Sequence, residues 1–174
     1  MGANSRQWAA TMVARLGLVE PATDVEQAVV AGMVRRWGSA PSPLIPGARA
    51  TVERLARLLP LAVASSAHRD VIAAALQSTG LAPFFEVVVS SDEVARGKPA
   101  PDVYLEAARR LRVEPEAALV VEDSLNGVRA GRSAGMTVAL VPNASIPPAP
   151  GAAEAASFVV PDLAALAPLL LGAG

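Results

Sequence analysis

Short apolar runs alternate with segments of helical periodicity from residue 48 onward, and this alternation is the strongest constraint on the fold. The apolar runs predict strands over residues 61–64, 87–89, 118–121, 138–141 and 158–160. The segments around them predict helices over residues 48–58, 69–79, 101–111, 125–134 and 162–170. Strands that alternate with helices form βαβ units, in which the strands are parallel and helices cover both faces of the sheet. The sequence therefore predicts an α/β fold.

The first 37 residues have a different pattern, which is helical throughout. Trp8, Met12 and Leu16 recur at helical spacing, and a Thr-x-x-Glu sequence over residues 23–26 predicts a capping box that opens a second helix. Residues 38–47 contain three prolines and two glycines, which is typical of a linker. We therefore divide the chain into a helical unit and an α/β unit, over residues 1–45 and 46–174.

The composition excludes several classes of protein. With 52% apolar and 18% charged residues, the 174-residue chain can form a core and is unlike a disordered protein. The net charge of -1 argues against nucleic-acid and polybasic membrane binding. The absence of cysteine and the single histidine exclude disulfides, thiol chemistry and a His-rich zinc site. We find no apolar stretch of the ~18 residues that cross a membrane and no signal peptide, so we expect a cytoplasmic protein.

Polar side chains follow two predicted strands at their carboxyl ends, where parallel sheets bind ligands. Ser65 and Ser66 follow the first strand, and they either cap the next helix or form an anion site with nearby N–H groups. Glu122 and Asp123 follow the third strand. Adjacent buried acids repel each other unless a cation or hydrogen-bond donors compensate, so they either face the positive end of the next helix or bind Mg²⁺.

Lys98 is the one lysine in a chain with 14 arginines, and it lies in a loop of sequence Gly-Lys-Pro-Ala-Pro. Glycine and proline make such a loop rigid. The ammonium is either a solvated surface charge or a compact point charge for a phosphate, a task in which arginine is not equivalent. A hydroxyl, a lysine and an acid pair at one edge of a sheet suit a phosphate that is bound together with Mg²⁺.

Three segments resemble motifs II, III and IV of the haloacid dehalogenase-like (HAD) hydrolase superfamily. They are Ala-Val-Ala-Ser-Ser at 62–66, Gly-Lys-Pro-Ala-Pro-Asp-Val-Tyr-Leu-Glu-Ala-Ala at 97–108, and Val-Glu-Asp-Ser-Leu-Asn-Gly-Val-Arg-Ala-Gly-Arg-Ser-Ala-Gly-Met at 121–136. The chain is most similar to the β-phosphoglucomutase and phosphoglycolate phosphatase-like branch. The resemblance implies a Rossmann-like core with a partial helical cap, and a monomeric, Mg²⁺-dependent phosphatase for a small phosphorylated metabolite. A phosphomutase and a non-catalytic phosphate-binding remnant are the alternatives.

The resemblance also implies roles for single residues. Ser65 would hydrogen-bond the transferring phosphate, and Lys98 would neutralise the phosphate and the nucleophile. Glu122 and Asp123 would hold Mg²⁺ directly or through water. The substrate-binding residues implied in the same way are Ser66 and, from a cap loop over residues 2–6, Arg6.

The sequence departs from the family in its first motif, an Asp-x-Asp pair that supplies the nucleophile and a general acid/base. No two of the six aspartates are separated by one residue; they are Asp24, Asp70, Asp92, Asp102, Asp123 and Asp162. We therefore expect an N-terminally truncated chain that lacks the central first strand and is inactive alone. The strands that end near Ser65 and Glu122 would then pair directly, leave an open gap, or flank a strand from a partner.

We expect the codons in frame upstream of the Met1 codon to encode an apolar strand that ends in Asp-x-Asp, because a buried parallel sheet requires such a strand at its centre. Reading the genomic DNA at this position is the measurement. A stop codon or unrelated sequence there would contradict the expectation. The four residues Ser65, Lys98, Glu122 and Asp123 would then form at most a non-catalytic phosphate-binding remnant.

Overall fold

The computed structural model describes residues 5–40, 44–143 and 145–171, so residues 2–4 of the predicted cap loop and residues 41–43 of the predicted linker lie outside it. The helices in these ranges are α1 (Ser5–Leu16), α2 (Ala22–Ser39), α3 (Ala48–Ala56), α4 (Arg69–Ser78), α5 (Asp102–Leu111), α6 (Leu125–Ser133), α7 (Ala152–Ala155) and α8 (Leu163–Leu171). The strands are β1 (Ala62–Ser65), β2 (Val87–Ser90), β3 (Leu119–Glu122), β4 (Thr137–Leu140) and β5 (Phe158–Val159). Each predicted strand and helix of the α/β half is present, with ends that differ by one or two residues.

The strands form two parallel sheets. In the first sheet β1 pairs with β2, and Ser65 lies opposite Ser90. In the second sheet β4 lies between β3 and β5, and Glu122 lies opposite Leu140. No strand pairing joins β1 to β3 within the described ranges, so direct pairing of these two strands was the wrong alternative. The α/β class is confirmed, and in the part of the chain that the structure describes β1 and β3 each keep one edge without a partner strand.

Helices cover both faces of the larger sheet, as predicted. Successive residues of a strand point to opposite faces. Val138 and Leu140 therefore join a core with residues of α5 and α6, whereas Ala139 and Val141 join a second core with residues of α3 and α8. All four side chains are buried. Burial of each valine or leucine contributes about 1.5–3 kcal/mol, so these two layers hold the sheet in place.

Helix α6 lies unusually close to the sheet, and Gly131 permits this approach. A Cβ atom at Gly131 would lie 2.7 Å from Cγ2 of Val138 on β4 and 3.3 Å from Cβ of Val120 on β3. The glycine therefore allows the helix backbone to rest directly on the two strands. The close packing places the first turn of α6 next to the carboxyl end of β3, where the predicted acid pair is located.

Helices α1 and α2 pack together as a helical hairpin, and its second helix also packs against α4. Helix α1 ends at Leu16, and Gly17 follows it with the left-handed φ of 63° that favours glycine after a helix. The capping box predicted over residues 23–26 was wrong, because α2 begins at Ala22, directly after Pro21, and Thr23 lies inside its first turn. No helix in the described part of the chain has the length and apolar character needed to cross a membrane.

Ser5, at the start of α1, connects this hairpin to the α/β part of the chain. Its side chain is fully buried. Its N–H donates to Oδ1 of Asp92 (3.1 Å), and its hydroxyl lies 2.6 Å from Oδ2 of Asp92 and in contact with Glu26 of α2. The hairpin is therefore tied to the turn that follows β2. The assignment of residues 1–45 to a cap and 46–174 to a core stays a prediction.

We expect Gly131→Ala to lower the free energy of unfolding by about 1–3 kcal/mol, because its methyl group would overpack the contact between α6 and the sheet. Gly38→Ala is the matched control, since Gly38 is an exposed residue of α2 with no atom near its Cβ position. That change should raise the free energy of unfolding by about 0.5–1 kcal/mol. Urea denaturation measures both, and equal effects of the two substitutions would disprove the close approach of α6.

Candidate active site

A cavity of about 700 Å³ opens at the carboxyl ends of β1 and β3. Ser65, Ser66, Lys98, Glu122 and Asp123 all line it. Three separate segments thus meet where β1 and β3, which belong to different sheets, both end. The structure brings five of the six predicted site residues together.

Lys98 forms a buried ion pair with Glu122. The two side chains are 7% and 9% exposed, and Nζ donates to Oε1 at 2.5 Å. Nζ also donates to the carbonyl oxygen of Ala64 on β1, at 3.2 Å. A buried ion pair is tolerated only when its hydrogen bonds offset the loss of hydration. The ammonium therefore links the carboxyl end of β1 in the first sheet to the carboxyl end of β3 in the second, although these two strands are not paired.

Both carboxylate oxygens of Glu122 accept hydrogen bonds. Oε1 accepts from Lys98 and from the hydroxyl of Tyr104, at 2.6 Å. Oε2 accepts from the backbone N–H groups of Asp123 and Ser124 and from the Ser124 hydroxyl, at 3.0–3.2 Å. Burial alone would raise the pKa of Glu122, but the charge of Lys98 and these hydrogen bonds hold it below its ordinary value. Glu122 is therefore an anion at neutral pH.

Gly127, in the first turn of α6, makes room for this carboxylate. A Cβ atom at Gly127 would lie within 1.9 Å of Cδ of Glu122. Ser124 caps α6, since its hydroxyl accepts from the Gly127 N–H at 3.1 Å. The sequence analysis missed Gly127. The glycine three residues after a helix-capping serine was the available signal.

Asp123 differs from its neighbour because it is exposed and no described residue hydrogen-bonds to its carboxylate. The described residues contain no group of three or more acidic, histidine or cysteine side chains close enough to hold a metal. Mg²⁺ is commonly bound by one or two carboxylates and completes its six oxygen ligands with water and phosphate. One open carboxylate at the wall of a cavity with room for a phosphate and water fits such an ion.

The Ser65 hydroxyl does not cap helix α4, which was one of the two predicted alternatives. Ser65 accepts a hydrogen bond from the Ala67 N–H at 3.1 Å. The residue that caps α4 is His68, whose Nδ1 accepts from the Asp70 N–H at 3.2 Å. No acceptor for the Ser65 hydroxyl proton is found among the described residues, so this proton can be donated to a ligand in the cavity.

Arg6 lies apart from the other predicted residues. It is exposed on α1 and is not among the described residues that line the cavity. Its contact with a substrate stays a prediction.

The structure adds two features that the sequence analysis did not select. Tyr104 of α5 contacts both members of the ion pair, with its ring 4.6 Å from Nζ of Lys98. Its position in an amphipathic helix suggested only a core residue. The loop after β4 also lines the cavity, through Asn143 and residues 146–149. This loop could have been predicted by the rule already applied to the other strands, because residues that follow the carboxyl end of a parallel strand line the ligand site.

The fold and the site define an α/β protein with a charged cavity at the carboxyl ends of β1 and β3. A profile described as "Hydrolase: haloacid dehalogenase-like hydrolase" matches residues 2–135. The chain therefore belongs to the haloacid dehalogenase-like hydrolase family, and the resemblance seen in the sequence is confirmed.

Two curated relatives illustrate the similarity. Protein CbbY of Rhodobacter capsulatus is 40% identical over 128 residues, which are 71% of this chain and 56% of CbbY. The bifunctional riboflavin kinase/FMN phosphatase of Arabidopsis thaliana is 44% identical over 101 residues, 57% of this chain and 27% of that protein. The chain thus spans about half of the first relative and about a quarter of the second.

Solved structures show the same fold. CbbY from Rhodobacter sphaeroides in complex with phosphate matches with a TM-score of 0.82 and 27% identity, over 94% of this chain and 75% of that one. β-Phosphoglucomutase from Clostridium difficile matches with a TM-score of 0.78 over 92% of this chain and 72% of that one. At 18% identity, the second match shows the fold alone.

We expect Lys98→Met to lower the free energy of unfolding by about 3–5 kcal/mol at neutral pH, because it leaves the Glu122 carboxylate buried without its cation. In the wild type, the lowered pKa of Glu122 gives stability above the unfolded-state pKa of about 4.3, and this stability is lost as the pH falls through the folded-state pKa. In Lys98→Met, burial dominates and raises the pKa of Glu122. Protonation of Glu122 then removes the unpaired buried charge that destabilises the variant. The loss of free energy of unfolding in Lys98→Met, relative to the wild type, should therefore become smaller as the pH is lowered.

Urea denaturation at neutral pH and at about pH 4.5 measures this deficit. Arg96→Met is the control, because Arg96 lies in the same loop and pairs with Asp102 at the surface. Its effect should stay within about 1 kcal/mol at both pH values. A Lys98→Met deficit that is unchanged or larger in acid would contradict the buried pair.

Proposed function

We propose that this chain carries the phosphate- and metal-binding face of a Mg²⁺-dependent phosphatase for small phosphorylated metabolites. The observation that carries the proposal is the buried Lys98–Glu122 pair, which lies beside the open Asp123 carboxylate and the Ser65 hydroxyl in one cavity. The family supports the hydrolase class.

In this proposal Lys98 and Ser65 bind the phosphate. An ammonium group has three N–H donors. Glu122 and the Ala64 carbonyl take two of them, so one remains for an oxygen in the cavity. The Ser65 hydroxyl supplies a second donor to the phosphate. Donors fixed in a partly enclosed site stabilise the charge that builds on the phosphoryl oxygens in the transition state.

We assign direct metal ligation to Asp123, whose carboxylate is open. Glu122 would reach a metal only through water, since both of its oxygens already accept hydrogen bonds from the protein. Its own task is to hold the Lys98 ammonium in place. A bound Mg²⁺ would supply charge neutralisation at the phosphoryl oxygens.

The substrate class follows from the relatives. CbbY from Rhodobacter sphaeroides has been crystallised with xylulose-(1,5)-bisphosphate, and that structure is 29% identical to this chain. A fructose-1-phosphate phosphatase of Escherichia coli is 40% identical over 77 residues. These names support a small sugar phosphate or a related metabolite, bound with its phosphate at Lys98. Ser66 and Arg6 are proposed substrate contacts.

Turnover is proposed only for a protein that also supplies a carboxylate nucleophile. The 174 residues contain no Asp-x-Asp pair. For these residues alone we propose binding of phosphate without hydrolysis.

Isothermal titration of the 174-residue chain with inorganic phosphate tests the proposal. We expect Lys98→Met to weaken binding by about 10-fold or more, because a charge-assisted hydrogen bond is lost. Asp123→Asn should remove the enhancement of phosphate binding by Mg²⁺ without weakening metal-free binding, because it takes away a negative charge beside the phosphate. Lys98→Arg and circular dichroism of each variant separate lost binding from lost folding.

Arg96→Ala, outside the cavity, is the control and should bind as the wild type does. Wild-type protein that binds no phosphate, or Mg²⁺ enhancement that survives Asp123→Asn, would refute the site. Hydrolysis of p-nitrophenyl phosphate by the 174-residue chain would refute the restriction to binding.

A further inference from the structure

Tyr104 contacts both Lys98 and Glu122 from the side of the core. It is 7% exposed and is not among the described residues that line the cavity. Its hydroxyl donates to Oε1 of Glu122 at 2.6 Å. Its ring centroid lies 4.6 Å from Nζ of Lys98. One side chain thus holds the carboxylate by a hydrogen bond and the ammonium by a cation–π contact.

The hydroxyl of Tyr104 is not needed for packing. Its ring belongs to the apolar core between α5 and the strands, and a phenylalanine would fill that space. A buried hydroxyl is unfavourable unless it is hydrogen-bonded. The partner that it meets is the carboxylate oxygen that also accepts from Lys98. The hydroxyl therefore serves the ion pair and not the core.

The direction of the Lys98 ammonium depends on these contacts. A lysine side chain is long and flexible, and it binds as a point charge without a fixed geometry of its own. Glu122 and the Ala64 carbonyl fix two of its donors, and the Tyr104 ring limits its position on a third side. If Glu122 rotated, the ammonium would follow it. The Tyr104 hydroxyl opposes that rotation.

We propose that Tyr104 is a positioning residue of the phosphate site, which fixes Glu122 and Lys98 so that the remaining N–H of Lys98 points into the cavity. This rests on the proposed phosphate-binding function. Burial, followed by the negative charge of Glu122, raises the pKa of Tyr104 well above its usual value, so the hydroxyl keeps its proton over the physiological range. Tyr104 acts through the other two residues and does not touch the phosphate.

Two substitutions separate the contributions of the hydroxyl and the ring. Tyr104→Phe removes only the hydroxyl, and Tyr104→Leu removes the ring as well. Thr51→Val is the control: Thr51 is another buried residue, and its hydroxyl donates to the Leu163 carbonyl at 2.7 Å and not to either member of the ion pair. It should lower stability without affecting the ion pair.

The probes are inorganic phosphate, titrated without Mg²⁺, and the NMR signals of Lys98. Because Lys98 is the only lysine, ¹³C-lysine labelling gives one set of side-chain signals. In the wild type the ring current of Tyr104 should shift the ε-CH₂ protons upfield. We expect Tyr104→Phe to reduce that shift measurably without abolishing it, because the ring stays while the ammonium loses its fixed position, and to weaken phosphate binding about 3- to 10-fold. Tyr104→Leu should abolish the shift and weaken binding about 10-fold or more.

Wild-type phosphate affinity and unchanged Lys98 signals in Tyr104→Phe would overturn the proposal, since Tyr104 would then only fill the core. Weaker binding in Thr51→Val, equal to that in Tyr104→Phe, would overturn it as well. If the wild type binds no phosphate, the proposed function fails and the Lys98 signals decide alone. A changed ε-CH₂ environment in Tyr104→Phe supports positioning of the pair, and an unchanged one refutes it.

Discussion

The ammonium of Lys98 is the interaction on which the site and the two sheets depend. No strand ladder connects β1 to β3 in the described structure, yet Nζ donates to Ala64 on one and to Glu122 on the other. A buried charge is stable only with an opposite charge and satisfied hydrogen bonds. Glu122 supplies the charge and Tyr104 adds a donor to the shared carboxylate oxygen. The same contacts that lower the cost of burial also fix a cation at the sheet edge.

In this arrangement the two adjacent acids, Glu122 and Asp123, have different roles. Glu122 turns inward to five donors, while Asp123 turns outward and stays open. Neighbouring residues at a strand end point to opposite sides, so one pair serves two purposes. Gly127 is what makes the inward position possible, because any larger residue there would occupy the place of the Glu122 carboxylate. The proposed chemistry therefore depends on a glycine as much as on the charged groups.

Much of the fold was predictable because its signals are local. Apolar runs and helical spacing indicated each strand and helix of the α/β half, and the rule for parallel sheets placed Ser65, Lys98, Glu122 and Asp123 at one edge. The capping box failed because the second helix begins at Ala22, directly after Pro21, which is earlier than the Thr-x-x-Glu pattern suggests. Tyr104 was overlooked because an aromatic residue on the buried face of a helix has a sufficient explanation in packing.

Periodicity and motif spacing along the chain were enough for the α/β class, the family and five of the residues that meet at the cavity. The split into two sheets and the different roles of Glu122 and Asp123 required three-dimensional coordinates. The physical reason is that these features depend on atoms from distant segments. Lys98 comes from a loop and Tyr104 from α5, while Glu122 and Gly127 come from β3 and α6. Hydrogen bonds between such segments follow from how helices pack on strands, and no pattern along the chain encodes them.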